Sequence, residues 1–195
     1  MAGKDWRSYC SEIGTALERM QATMNGGRGL DADAAFALLL EKTLSCKAQG
    51  RELFFCGNGA SATMASHTAA DIAKNGGLRA RSLTEPALLT AIANDISFEE
   101  VFSLPVTRNM MEGDMLVAIS SSGKSPNILA AARAARQAGG YVVTLSGFAE
   151  DNPLRALGVL NFYIPAPSYG VVESCHATLL HHWVDMAVFS HARGK

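Results

Sequence analysis

Two short loops in this sequence are built from the residue types that hold phosphate. One reads Cys56-Gly57-Asn58-Gly59-Ala60-Ser61 and the other Ser120-Ser121-Ser122-Gly123-Lys124-Ser125-Pro126. Each follows a short apolar run and precedes a helical pattern, so each presents backbone N–H groups at the positive end of a helix. The hydroxyls of Ser120, Ser121, Ser122 and Ser125 add donors, and Pro126 suits a first helical turn. That combination fits a phosphate monoester. A plainer reading is that serine and glycine only cap a helix and turn the chain, but two such loops in one short chain favour phosphate. Neither loop is GxxxxGK[ST], and the first has GxG without GxGxxG, so dinucleotide binding is weakly supported.

Titratable side chains gather elsewhere. His67 and Asp71 stand four residues apart on a helical pattern over 61–74, a spacing that faces one side and lets two groups share a metal ion; spacing alone favours an ordinary hydrogen bond. A last helical pattern carries Glu173, His176, His181 and His182. At about 100° per residue, Glu173 lies ~60° from His176, ~80° from His181 and ~180° from His182. His182 is therefore no partner of Glu173, and the angle leaves His176 and His181 open, with a slight preference for His176. Asn94-Asp95, between two apolar helical patterns, reads as a turn and N-cap or as a carboxylate at a site mouth. His191, in the tail, reads as solvated.

The elements that must position these groups are legible from periodicity. Strands are expected at Leu53–Cys56, Arg79–Leu83, Met115–Ser120, Tyr141–Ser146 and Leu160–Ile164, alternating with helices near 61–74, 86–93, 98–109, 125–138 and 171–191. Near-continuous apolar strands alternating with helices predict an α/β fold with a parallel sheet covered on both faces. Each loop then sits at the carboxyl end of a strand, where open sheets of this kind bind ligands. Two helices precede the first strand: residues 5–25, with Trp6, Ile13, Leu17, Met20 and Met24 at helical spacing, and a second opened by Asp31 and Asp33 that runs to about Lys47, with Gly26-Gly27-Arg28-Gly29 as the break.

Composition sets the frame. The 195 residues carry 17 basic and 18 acidic groups, for a net charge of −1. That fits one domain (1–48 a helical pair, 51–195 the αβα core) and offers no basic footprint for nucleic acid. No stretch reaches the ~20 apolar residues of a membrane span, and no secretory h-region opens the chain. The four cysteines lack CxxC spacing, so free thiols in the cytoplasm are expected.

In order along the chain, CGNGASATMASHTAAD, TAIANDISFEEVF, GDMLVAISSSGKSPNILAA and VVESCHATLLHH resemble the sugar isomerase (SIS) domain family, in its phosphoheptose isomerase branch. The resemblance covers nearly the whole chain. It implies a three-layer αβα fold with a five-stranded parallel sheet and two N-terminal helices. It implies homotetramers with active sites at subunit interfaces, and the interconversion of sedoheptulose 7-phosphate and D-glycero-D-manno-heptose 7-phosphate for heptose synthesis. By position, it gives the phosphate to Ser61, Ser120, Ser121, Ser122 and Ser125. Asn58, Gly59, Asn94 and Asp95 fall among its sugar-contacting positions. It makes His67, Asp71, Glu173 and His181 the set that holds a divalent metal, zinc, and carries the acid–base chemistry, and so picks His181 over His176. Three positions depart from the family pattern: Asp71 replaces its usual Glu, Glu173 its Gln, and Gly170 an acidic residue.

The chemistry so implied is aldose–ketose isomerisation through a cis-enediol, which needs a base, an acid and stabilisation of the enediolate. Asp71 or Glu173 is the base, His181 the partner acid–base. A non-catalytic relative resembling this branch binds a replication-initiator protein instead. A sugar-phosphate sensor and an isomerase of another sugar phosphate are two further readings. All four positions of the catalytic set carry groups able to ligate or transfer protons, which favours an enzyme.

Overall fold

A computed structural model of the chain describes residues 5–25 and 27–192, the side chains of His191 and Ala192 excepted, so the expectation for His191 lies outside the described residues. Seven strands form one sheet in the order β2-β1-β7-β6-β5-β3-β4. The strands are β1 (Gln21–Met24), β2 (Arg28–Leu30), β3 (Glu52–Gly57), β4 (Arg79–Ser82), β5 (Met115–Ser120), β6 (Tyr141–Gly147) and β7 (Leu160–Ile164). The helices are α1 (Trp6–Glu18), α2 (Ala32–Ala48), α3 (Ala60–Lys74), α4 (Pro86–Asp95), α5 (Glu100–Asn109), α6 (Pro126–Gln137) and α7 (Tyr169–Ala192).

The expected parallel sheet is present as β7-β6-β5-β3-β4, with every neighbouring pair parallel. What the apolar period does not reveal is the hairpin β1–β2. The helix expected over 5–25 ends at Glu18, and Gln21–Met24 runs antiparallel to both β2 and β7, with Ala22 opposite Phe162. Met20 and Met24 fit a helical stripe, but as a strand this segment buries Ala22 and covers the open edge of β7, whose N–H and C=O groups would otherwise face water unpaired. The sheet is accordingly mixed and seven-stranded.

Side chains of the inner strands alternate between two cores. Leu53 and Phe55 of β3 and Met115, Val117 and Ile119 of β5 join one core with α2, α3 and α7. Phe54 and Cys56, with Leu116 and Ala118, join the other with α5 and α6. Helices therefore cover both faces. The first two helices are started by aspartates: Asp5 accepts the Ser8 N–H at 3.0 Å and Asp31 the Ala34 N–H at 2.8 Å.

The long helix α7 is anchored by polar contacts as well as by its apolar face. Buried Trp183 donates its indole N–H to Thr43 Oγ1 of α2 at 3.0 Å. His176, fully buried, lies with Nε2 3.1 Å from the Ser146 carbonyl at the end of β6. Only a donor can satisfy that carbonyl, so Nε2 carries the proton and Nδ1 is left as an acceptor; Nδ1 is buried and has no partner among the described residues. Burial pushes this imidazole down to about 4.

Two measurements follow from this packing. Thr43→Val strands the Trp183 N–H in the core, and loss of a buried partner costs about 1–3 kcal/mol; the expected outcome is a lower denaturant midpoint at unchanged m-value. For His176, both states are neutral above 6.5, whereas between 6.5 and about 4 only the unfolded chain takes up a proton. Stability is therefore lost as pH falls through that window, and His176→Gln, which keeps a donor for Ser146 without titrating, is expected to flatten this part of the pH dependence of thermal unfolding.

Candidate active site

The strand order reverses between β3 and β5: β4 follows on one side, β6 and β7 on the other. Their following helices leave to opposite faces, α3 to the first core and α6 to the second. A crevice at the carboxyl ends of the two strands results, and both phosphate-type loops lie in it. A cavity of about 150 Å³ there is lined by Asn58, Ser61, Ser120, Ser121, Ser122 and Ser125, with Ile119, Tyr169 and Glu173.

Local sterics explain the loop sequences. A Cβ on Gly57 would stand 2.5 Å from the Ser61 backbone, so only glycine lets α3 begin directly over the end of β3. Gly123 has φ 63°, and a Cβ there would overlap the Asn152 carboxamide. Asn152 in turn donates to Ser146 Oγ at 3.1 Å, bracing the serine loop against β6. The two loops are tied together by a reciprocal amide pair between Asn58 and Asn127, at 2.9 Å in each direction.

The serines do not act as caps. The N-cap of α3 is Gly59, which has no side chain, and the N-cap Ser125 of α6 makes no capping bond; its hydroxyl meets Ser120 Oγ at 3.2 Å. By contrast, α1, α2 and α4 are capped by carboxylates. Ser121 Oγ is buried with no partner among the described residues. An unpaired buried hydroxyl beside two helix N-termini without side-chain caps, in a cavity with room for a few atoms, is chemistry suited to an oxyanion. Cys56 stands one residue before the end of β3, but burial pushes its thiol up to about 12, so no thiolate is available there as a nucleophile.

A second cluster lies on the outer face of α3 and α7. His67, Asp71 and His181 bring one ligand atom each within 4.8 Å of one another. His67 Nε2 is 3.2 Å from Asp71 Oδ2, and the His67 and His181 rings meet at 5.3 Å. Glu173 is not in this group: it lines the serine cavity. His176 is in the core and His182 packs edge-on against Phe36 at 4.6 Å. Asn94 and Asp95 end α4 exposed, bonded to each other at 2.8 Å, and neither lines the cavity. Gly59 is likewise outside its lining, at the head of α3.

Residue type and spacing do not single out Asn127, Asn152 or Tyr169. A polar Asn127 on an otherwise apolar stripe of α6 is the one available signal; Asn152 and Tyr169 stand in loop-like and helix-start positions that carry no period.

Residues 8–147 match the SIS domain family. A phosphoheptose isomerase of Nitratidesulfovibrio vulgaris (Miyazaki F) is 42% identical over 123 residues, which is 60% of this chain and 59%, less than two thirds, of that relative. One from the Hildenborough strain is 33% identical over 174 residues, 86% of this chain and 80% of the relative. Among solved structures, the phosphoheptose isomerase of Neisseria gonorrhoeae superposes with a TM-score of 0.80 at 29% identity, over 93% of this chain and 95% of that one. The chain belongs to the SIS domain family, in its phosphoheptose isomerase branch.

Proposed function

We propose that the chain interconverts sedoheptulose 7-phosphate and D-glycero-D-manno-heptose 7-phosphate in the cytoplasm. The observation that carries this reading is the serine cavity, with the unpaired Ser121 hydroxyl and two helix N-termini, set on the same helix as a His/Asp cluster. Glu173 and His181 are eight residues apart on the continuous helix α7, about 12 Å along its axis. A phosphate held in the cavity thus leaves the carbonyl end of a long sugar, rather than a short one, at the cluster.

Two imidazoles and one carboxylate, with ligand atoms within 4.8 Å of one another, are a donor set that suits zinc with an open position. His67, Asp71 and His181 would hold the ion, which when bound supplies Lewis-acid polarisation of the substrate carbonyl. The remaining work falls to the chain's own groups. The serine loop fixes the phosphate and so the position of the reactive carbons. Asp71 shares a cluster with His181 while Glu173 lines the phosphate cavity, so Asp71 is assigned to take the proton from the carbon next to the carbonyl and return it to the former carbonyl carbon, and His181 to protonate the carbonyl oxygen and take the proton from the neighbouring hydroxyl as the new carbonyl forms. Glu173 is left to accept from the sugar chain's hydroxyls. Asn94 and Asp95 join the site by assembly: they stand beside Leu88, Ile96 and Phe98, which are 47%, 59% and 57% exposed, and these apolar groups suit burial against another copy in a homotetramer.

Incubation with sedoheptulose 7-phosphate, with and without zinc, followed by NMR, is expected to give the aldose 7-phosphate. Failure to convert it with metal present and the fold intact would overturn the reading. With turnover in hand, Asp71→Asn is expected to lower kcat by roughly 10²-fold or more, and full turnover at saturating substrate would remove Asp71 from the base role. Ser121→Ala is expected to raise KM more than it lowers kcat, since its hydroxyl serves the phosphate equally in the ground and transition states.

A further inference from the structure

The serine cavity is too small for a whole sugar phosphate. Its 150 Å³ is below the roughly 300–1,000 Å³ of pockets that enclose a small ligand. The phosphate end fits inside, and the carbon chain has to leave across the rim. At that rim stands Tyr169, the first residue of α7, 60% exposed although it lines the cavity.

Its ring is held in place by an unusual piece of backbone. Phe148, just past the end of β6, has φ 60°, the one non-glycine residue with positive φ among those described. A bulky residue is held in that conformation only when its surroundings fix it. Here Tyr163 donates its phenol to the Phe148 carbonyl at 2.8 Å, and the Phe148 N–H reaches the Ala166 carbonyl at 3.3 Å. The Phe148 ring is thereby presented to the Tyr169 ring at 4.8 Å and 76°, a favourable edge-to-face contact. On the other side α1 packs against α7: a Cβ on Gly170 would lie 2.7 Å from the Tyr9 hydroxyl, so glycine at 170 leaves room for that phenol beside the first turn of α7. An exposed aromatic side chain is thus pre-oriented rather than loose, one helical turn before Glu173 on the same face.

We propose that Tyr169 is a substrate-contacting, specificity-determining residue, whose ring packs on the C–H face of the sugar chain as it leaves the phosphate cavity, and that Phe148 is its positioning residue. The proposal rests on the sugar-phosphate reading above and names which part of the substrate Tyr169 touches: the carbon chain, not the phosphate. Apolar C–H faces against an aromatic ring gain from burial without any hydrogen bond, which leaves the hydroxyl edges to Glu173 and the neighbouring amides.

The test compares wild type, Tyr169→Ala, Tyr169→Phe and Phe148→Leu in calorimetric titrations with inorganic phosphate and with sedoheptulose 7-phosphate, and in steady-state kinetics. Tyr169→Ala is expected to weaken the sugar phosphate about tenfold, the scale of a lost aromatic contact, raising KM in step and moving kcat much less. Inorganic phosphate is expected to bind within about twofold of wild type, because only the serine loop holds it. Tyr169→Phe keeps the ring and is expected to recover most of the loss, and Phe148→Leu to fall between. Sugar-phosphate affinity unchanged in Tyr169→Ala, or an equal loss for inorganic phosphate, would overturn the proposal. The two readings fail separately. Wild type that binds sedoheptulose 7-phosphate without converting it ends the isomerase assignment, and Tyr169 is then judged on Kd alone. Wild type that binds inorganic phosphate and no better any sugar phosphate ends the Tyr169 contact.

Discussion

At the switch point between β3 and β5, the first turns of α3, α6 and α7 all reach one small cavity, and at α3 and α6 no side chain caps the helix. Backbone N–H groups at a helix start carry a partial positive charge that the sheet cannot move or delete. Everything else in the site answers to that potential. Gly57 lets α3 start directly on the strand end, Asn58 and Asn127 lock the two loops at a fixed separation, and Asn152 fills the space that Gly123 leaves open. Serine hydroxyls then tune a site whose sign is already set by the backbone.

The helix α7 converts that anion site into something that can do chemistry. One side of it is bound into the core by Val172, Cys175, Leu179 and Trp183, and by His176 against the Ser146 carbonyl. A helix so anchored cannot slide, so the residues on the open side keep fixed spacing: Tyr169 and Glu173 at the cavity, His181 two turns beyond it with His67 and Asp71 of α3. In the proposed reaction, one rigid rod carries both the phosphate end and the proton-transfer end of the site, and its length matches a long sugar chain rather than a short one.

Much of this is legible from residue order, for reasons that show where legibility stops. The inner strands read clearly because both of their faces are buried, so Leu53–Cys56 and Met115–Ile119 are unbroken apolar runs. The hairpin β1–β2 does not, because β1 buries only Ala22, the edge strand β2 buries no residue, and the neighbouring methionines happen to fit a helical period. The serine loops announce themselves by composition. The choice between His176 and His181 cannot be read from angle, since both lie near Glu173 on the helical wheel; burial separates them, with His176 wholly inside and His181 exposed beside His67. Glu173 shows the converse. Its position on the wheel groups it with His181, but two turns of rise put it at the cavity instead, a distance along the axis that an angular argument ignores.

A carboxylate and a phosphate in one 150 Å³ cavity repel each other, and at short range in a partly buried site the repulsion is large. Two features of the fold lessen it. The helix starts of α3, α6 and α7 add positive potential where the proposed phosphate would lie, while Glu173 sits a turn into α7, past its start. A long flexible side chain on the helix can also turn its carboxylate away from the serines toward the sugar chain, where hydroxyl donors await it. In the proposed binding mode the negative charge then faces the part of the substrate that carries O–H groups, and the phosphate faces the N–H and hydroxyl donors of the serine loops. A binding mode with the substrate reversed would set the phosphate against Asp71 and expose the carbonyl end to the serines. On the proposed reading, the arrangement of charges favours one direction of the sugar, with its reactive carbons at the end of the site where an imidazole and a carboxylate stand together.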